Sequence, residues 1–94
     1  METDEFEWDD AKAEENFRKH GVDFEVARAA FTDPFAIEDL QIVDGEERTL
    51  MIAMAGNRLL AVVFAERRER LRIISARQAT RREHDRYYFE NSQE

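Results

Sequence analysis

Leu59-Leu60-Ala61-Val62-Val63-Phe64 is apolar at every position. A half-buried strand alternates polar with apolar residues, so an unbroken apolar run of this length predicts a strand covered on both faces. It belongs in the middle of a sheet. Just before it, Gly56-Asn57 is a two-residue hairpin turn of the kind that tolerates positive φ, which makes 48–55 the antiparallel neighbour. Further out, Asp44-Gly45-Glu46 reads as a turn and 36–43 as a strand with a mixed face. On the other side a polar turn over 66–69 leads into a strand over 70–77.

Helices flank this meander. Phe6-Glu7-Trp8 alternates over three residues only, enough for a short N-terminal strand. Asp9 or Asp10 suits an N-cap, 11–20 is made of good helix formers, and Gly21 supplies a left-handed stop. Asp23 caps a second helix over 24–31, which Pro34 cannot continue. Thr80 with Glu83 forms a capping box for a last helix ending near Asn91, with fraying expected over 92–94. Trp8, Phe17, Phe24 and Phe31 read as core, and Tyr87 and Tyr88 as anchors of the last helix. The expected fold is one α+β domain over 1–94: two N-terminal helices, a four-stranded antiparallel sheet and a C-terminal helix, with a short N-terminal strand as an option. The first two helices cover one face of the sheet. The last helix, with apolar bulk only at its end, docks loosely on the other.

Charge is divided along the chain. Residues 1–47 hold sixteen Asp or Glu against four Lys or Arg, whereas 48–94 hold six acids and ten arginines, within an overall charge of −8. The second half is therefore suited to anions, and its cations are all arginine, whose planar fork grips phosphate at two points. The absence of cysteine excludes a disulfide framework, a thiolate nucleophile and cysteine-ligated zinc. Two histidines without an acid at ligand spacing point to no metal site, and no calcium loop, glycine-rich phosphate loop or nucleophile motif is present. The acidic start and the lack of a long apolar run predict a soluble, cytoplasmic protein.

Within the strand over 70–77, strict alternation places Arg70, Arg72, Ile74 and Ala76 on one face and Leu71, Ile73, Ser75 and Arg77 on the other. Leu71 and Ile73 are the stronger apolar pair, which puts Arg72 on the open face, while Arg77 at the strand end reaches the rim from either. A charge near the middle of a strand is costly unless paired or used. Arg72 either bridges Glu66 or an acid of a neighbouring strand, or serves a ligand. Glu66 and Arg67, at the exit of the central strand, put a carboxylate beside guanidiniums. That combination suits phosphodiester cleavage, with the carboxylate taking a proton from a ribose hydroxyl and the guanidiniums stabilising charge on phosphorus. Lys19 and His20 are further candidates for proton transfer, with a helix C-cap as the alternative for His20.

Several of these residues together resemble a known family. Phe6-Glu7-Trp8-Asp9, Lys19-His20-Gly21-Val22, Asp33-Pro34, Glu46-Glu47-Arg48, Glu66-Arg67, Arg72-Ile73-Ile74-Ser75-Ala76-Arg77 and Thr80-Arg81-Arg82-Glu83 follow in the order and spacing of the BrnT toxins. The resemblance implies a RelE-like ribonuclease fold and the toxin role in a type II toxin-antitoxin system. It implies RNA cleavage without a metal or cofactor and inhibition of translation. It also implies neutralisation by a BrnA-like antitoxin, through which alone operator DNA would be bound and transcription autoregulated. Arg72, Arg77, Glu66 and Arg67 carry over as active-site residues, followed by Lys19 and His20. The second reading is a non-catalytic antitoxin-binding or co-repressor domain, supported by the acidic first half and the apolar Phe64-Ala65 before the Glu-Arg pair. A homodimer is open under both.

Overall fold

A computed structural model describes residues 1–92. Its elements are β1 (Phe6–Glu7), α1 (Asp10–His20), α2 (Phe24–Ala29) running into a 3₁₀ turn (Ala30–Thr32), β2 (Ile37–Val43), β3 (Glu46–Ala55), β4 (Arg58–Arg67), β5 (Arg70–Gln78) and α3 (Arg81–Asn91). The α+β class and helix placement are as expected. The sheet, however, has five strands, in the order β1-β5-β4-β3-β2. It is mixed, because β1 adds parallel to β5 through Phe6↔Leu71 and Glu7↔Arg72. The three-residue alternation at the N-terminus suffices for this, helped by the Leu71 amide donating to the Glu5 carbonyl at 2.8 Å. The central position of β4 follows from its two-sided burial: Leu60 and Val62 face one core and Leu59 the other.

The caps explain where the helices stop. Asp9 accepts from the Lys12 amide, Gly21 closes α1 at φ 70°, and Thr80 with Glu83 completes the capping box of α3. The larger core lies beneath α1 and α2, where Phe31 meets Phe6 and Phe64 edge to face at 5.0 and 4.9 Å. Phe17 does not join it and is 53% exposed. In α1 the residues turned toward the sheet are Ala13 and Asn16, and the next position rotates about 100° away from them.

On the opposite face α3 buries Tyr87 against Ile52 and Leu59. Its attachment is otherwise polar. The Tyr87 hydroxyl donates to Asp33 at 2.6 Å, the Arg86 guanidinium takes both oxygens of Asp39, and Asn91 Nδ2 donates to the Phe35 carbonyl at 3.0 Å. Tyr87 is thus an anchor, whereas Tyr88 is exposed beside His84. Ser92 is tied to the Phe89 carbonyl, and the fraying expected at Gln93 and Glu94 lies outside the described residues.

Two local features depart from simple patterning. The β4–β5 turn is only Arg68-Glu69, tighter than the polar turn expected over 66–69, and both residues are left-handed at φ 52° and 67°. A β-bulge also interrupts β5. The register passes from Val63↔Ser75 to Phe64↔Ile73, so Ile74 is an extra residue. Strict alternation therefore fails. Ile73 and Ala76 both face the larger core, and Arg77, opposite Ala61, shares the other face with Arg72, opposite Ala65.

Candidate active site

Because α3 covers only the Ile52 and Leu59 end of its face, the rest of that face is open. It forms a trough of about 630 Å³ lined by Arg48, Ala65, Arg72 and Ile74, with Lys12, Glu46, Glu47, Glu66 and Arg67 around it. Hairpin register builds this site. Arg48 opposes Gln41, Ala65 opposes Arg72, and Arg72 opposes Glu7. Carrying the β3–β4 register one residue past Thr49↔Phe64 sets Arg48 opposite Ala65. One row thus crosses the sheet as Gln41, Arg48, Ala65, Arg72 and Glu7, and residues opposed in this way stand on the same face. The alanine is the floor.

Arg72 lies in the trough and is paired. Its Nη1 donates to Glu7 Oε2 at 2.7 Å, with the two side chains 30% and 12% exposed. The partner is thus an acid of a neighbouring strand, the one alternative weighed for this residue that the structure shows. Arg67 lines the trough beside it, whereas Glu66, opposite Leu71 of the larger core, borders the trough from the hairpin end. Lys19 and His20 occupy an adjoining hollow of about 250 Å³ that shares Lys12 and Ile74 with the trough. Asn16 fixes this arrangement: its Nδ2 donates to the Ala76 carbonyl at 2.8 Å and its Oδ1 accepts from the Ala76 amide at 3.2 Å. Beyond the end of β1, α1 is held to the edge of β5 in this way.

Arg77 lies outside both hollows. It forks onto Glu83 at 2.7 and 3.0 Å, tying β5 to the first turn of α3. Those hydrogen bonds hold the Glu83 carboxyl below its ordinary value in spite of burial, and Glu83 in turn raises Arg77. The site thus gathers Arg72 and Arg67, has Glu66 at its edge, sets Lys19 and His20 alongside, and leaves Arg77 on the same face but locked to α3.

Arg48, Lys12 and Glu7 were not singled out from the sequence as site residues. For Arg48 the signal was present, because the two-residue turn at Gly56-Asn57 fixes the register that sets it opposite Ala65. Lys12 looked like any exposed helix residue. Among the described residues, no group of three or more His, Asp or Glu is placed to hold a metal ion. No described helix is long and apolar enough to cross a membrane. Chemically, the trough offers guanidiniums to an anion and carboxylates to a nearby proton. A family model described as the ribonuclease toxin BrnT of type II toxin-antitoxin systems matches residues 8–83. Among curated proteins, none matches the chain.

Proposed function

Since the chain belongs to the BrnT family of ribonuclease toxins of type II toxin-antitoxin systems, we propose that the open trough beside α3 is its RNA-cleaving site and that it works without a metal. The observation carrying this reading is the trough itself, where Arg72 and Arg67 stand on the uncovered part of the sheet and Glu66 borders it at the hairpin end. An RNA phosphodiester enters the trough and is neutralised by Arg72. Glu66 takes the proton of the ribose 2′-hydroxyl as its oxygen attacks phosphorus, and the guanidiniums carry the extra charge of the pentacoordinate species. The bond to the 5′-oxygen breaks, and His20 or Lys19 from the adjoining hollow returns a proton to that leaving group. Arg77, once released from Glu83, adds positive charge along the path of the strand. Cleavage of this kind inhibits translation in the cytoplasm. A BrnA-like antitoxin would silence it and would bring operator DNA, and a homodimer of the chain is compatible with this reading.

The ion pairs favour a second reading. Glu7 holds Arg72 and Glu83 holds Arg77, so two of the arginines already have carboxylate partners. A non-catalytic antitoxin-binding or co-repressor domain is consistent with this. Cleavage of a purified single-stranded RNA in excess chelator separates the two, with Arg72→Ala alongside and folding checked by circular dichroism. The parent should cut, and Arg72→Ala should lose roughly 10²-fold or more in rate, the scale of removing one charge-stabilising donor. Equal rates in folded parent and variant would remove Arg72 from the mechanism, and an inert folded parent would favour the non-catalytic domain or a requirement for the ribosome.

A further inference from the structure

We infer that Arg48 is a second phosphate-gripping residue of the trough, facing Arg72 across the Ala65 floor so that one phosphate of a polynucleotide is held between the two guanidiniums. The inference rests on the trough being a nucleotide site, as proposed above, and assigns a role to a residue outside that proposal. Three observations carry it.

Register comes first. Arg48 and Arg72 stand on strands either side of β4, in one row with Ala65 between them. Neighbouring strands lie about 4.8 Å apart, so their backbones are about 10 Å apart. Two side chains as long as arginine can both reach an anion above the methyl group from that separation. A larger residue at position 65 would fill the space.

Second is the state of the guanidinium. Arg48 Nε is buried without a hydrogen-bond partner, and its ion pair with Glu46 spans 3.8 Å, beyond hydrogen-bond length. Arg72 and Arg77 on the same face, and Arg86 of α3, are each hydrogen-bonded to a carboxylate. Holding a half-buried charge without such a partner costs folding free energy. A ligand anion supplies the hydrogen-bond acceptor that Nε lacks. Third, Arg48 lines the same hollow as Arg72, Arg67 and Lys12, so a phosphate there meets cations from β3, β4, β5 and α1.

The test separates grip from chemistry. A fluorescently labelled single-stranded deoxyoligonucleotide has no 2′-hydroxyl to attack phosphorus, and its binding is followed by anisotropy over a salt series. The proteins are the full chain, Arg48→Ala, Arg48→Gln and Arg58→Ala. Arg48→Gln keeps most of the packing of the stem, and Arg58→Ala removes one charge at the far end of β4. Loss of the fork should weaken binding about ten- to a hundredfold. The slope of log K against log salt should fall by about 0.7, as for one phosphate contact on a single strand. Arg58→Ala should bind like the parent. Folded Arg48 variants that bind as the parent does, or lose no more than Arg58→Ala, would overturn the inference, as would a parent that binds no oligonucleotide at all. Cleavage of the matching RNA is scored separately. If the binding pattern is as expected and no RNA is cut, the Arg48 assignment stands and the ribonuclease reading of the trough fails.

Discussion

Asn16 shows how much one side chain can decide. It is the buried polar residue of α1, and its amide satisfies the Ala76 carbonyl, the Val22 carbonyl and the Ala76 amide together. By matching both backbone groups of Ala76 it acts as a short substitute for the strand that β1 no longer provides there. Replacing Asn16 with Ala leaves three backbone groups without their partner, and at about 1 kcal/mol or more for each unsatisfied buried group the expected loss is about 3 kcal/mol. Urea denaturation of parent and variant measures it. A loss under about 1 kcal/mol would mean that water replaces the amide and that the α1–β5 contact is looser than drawn. Nothing in the sequence marked this residue, because Asn16 sits in a run of good helix formers where a polar residue reads as surface. Phe17 erred in the opposite direction: aromatic, beside the inward position, and exposed.

At the level of elements, hairpins were legible and the bulge was not. Gly56-Asn57 and Asp44-Gly45 announce their turns, and a two-residue turn fixes every pair that follows, which is why β2, β3 and β4 came out in place. The extra residue in β5 carries no such mark. Ile74 is an ordinary strand residue, and only the pairing shows that alternation breaks there and brings Arg77 to the face of Arg72. The same face explains how α3 is held. Its apolar contribution is essentially Tyr87, so its N-terminal turn depends on Thr80, Glu83 and the Arg77 fork. Thr80→Ala should cost about 1 kcal/mol, the usual worth of such a cap. Native-state hydrogen exchange should show the α3 amides losing protection in that variant while those of β4 keep theirs. Equal protection in parent and Thr80→Ala would mean that Tyr87, the Asp39 pair and the Arg77 fork hold the helix without the cap.

For the molecule as a whole, the division of charge was visible in the sequence, but the way its halves join was not. Acids of the first half reach across to residues of the second: Glu7 to Arg72, Asp39 to Arg86, and Asp33 to the Met54 amide and the Tyr87 hydroxyl. These joins link residues 21 or more positions apart and depend on register and on the packing of α3, which composition does not report. They give stability a definite dependence on pH. Burial opposes ionisation of Asp33, but hydrogen bonds from Met54, Tyr87 and Phe35 outweigh it and lower its pKa. Asp39 is lowered by Arg86 and Glu83 by Arg77. A carboxyl whose folded pKa is depressed stabilises the fold above its unfolded value and loses that contribution as pH falls through the folded value. Tyr87 is shifted the other way, raised by burial and by the Asp33 carboxylate, so its contribution is present below its unfolded value and is lost as pH rises through the folded one. The melting temperature should therefore be level from about pH 5 to about pH 9, fall below about pH 4 and fall again above about pH 10, near the unperturbed values of these groups. Thermal unfolding followed by circular dichroism at constant ionic strength tests this, with Asp33→Asn expected to melt lower at pH 7 and to show a shallower acid decline. Relief of self-repulsion in a chain of net charge −8 pulls in the opposite direction on acidification. A melting temperature that rises between pH 5 and pH 3 would show that this repulsion, rather than the joined acids, dominates the stability of the fold.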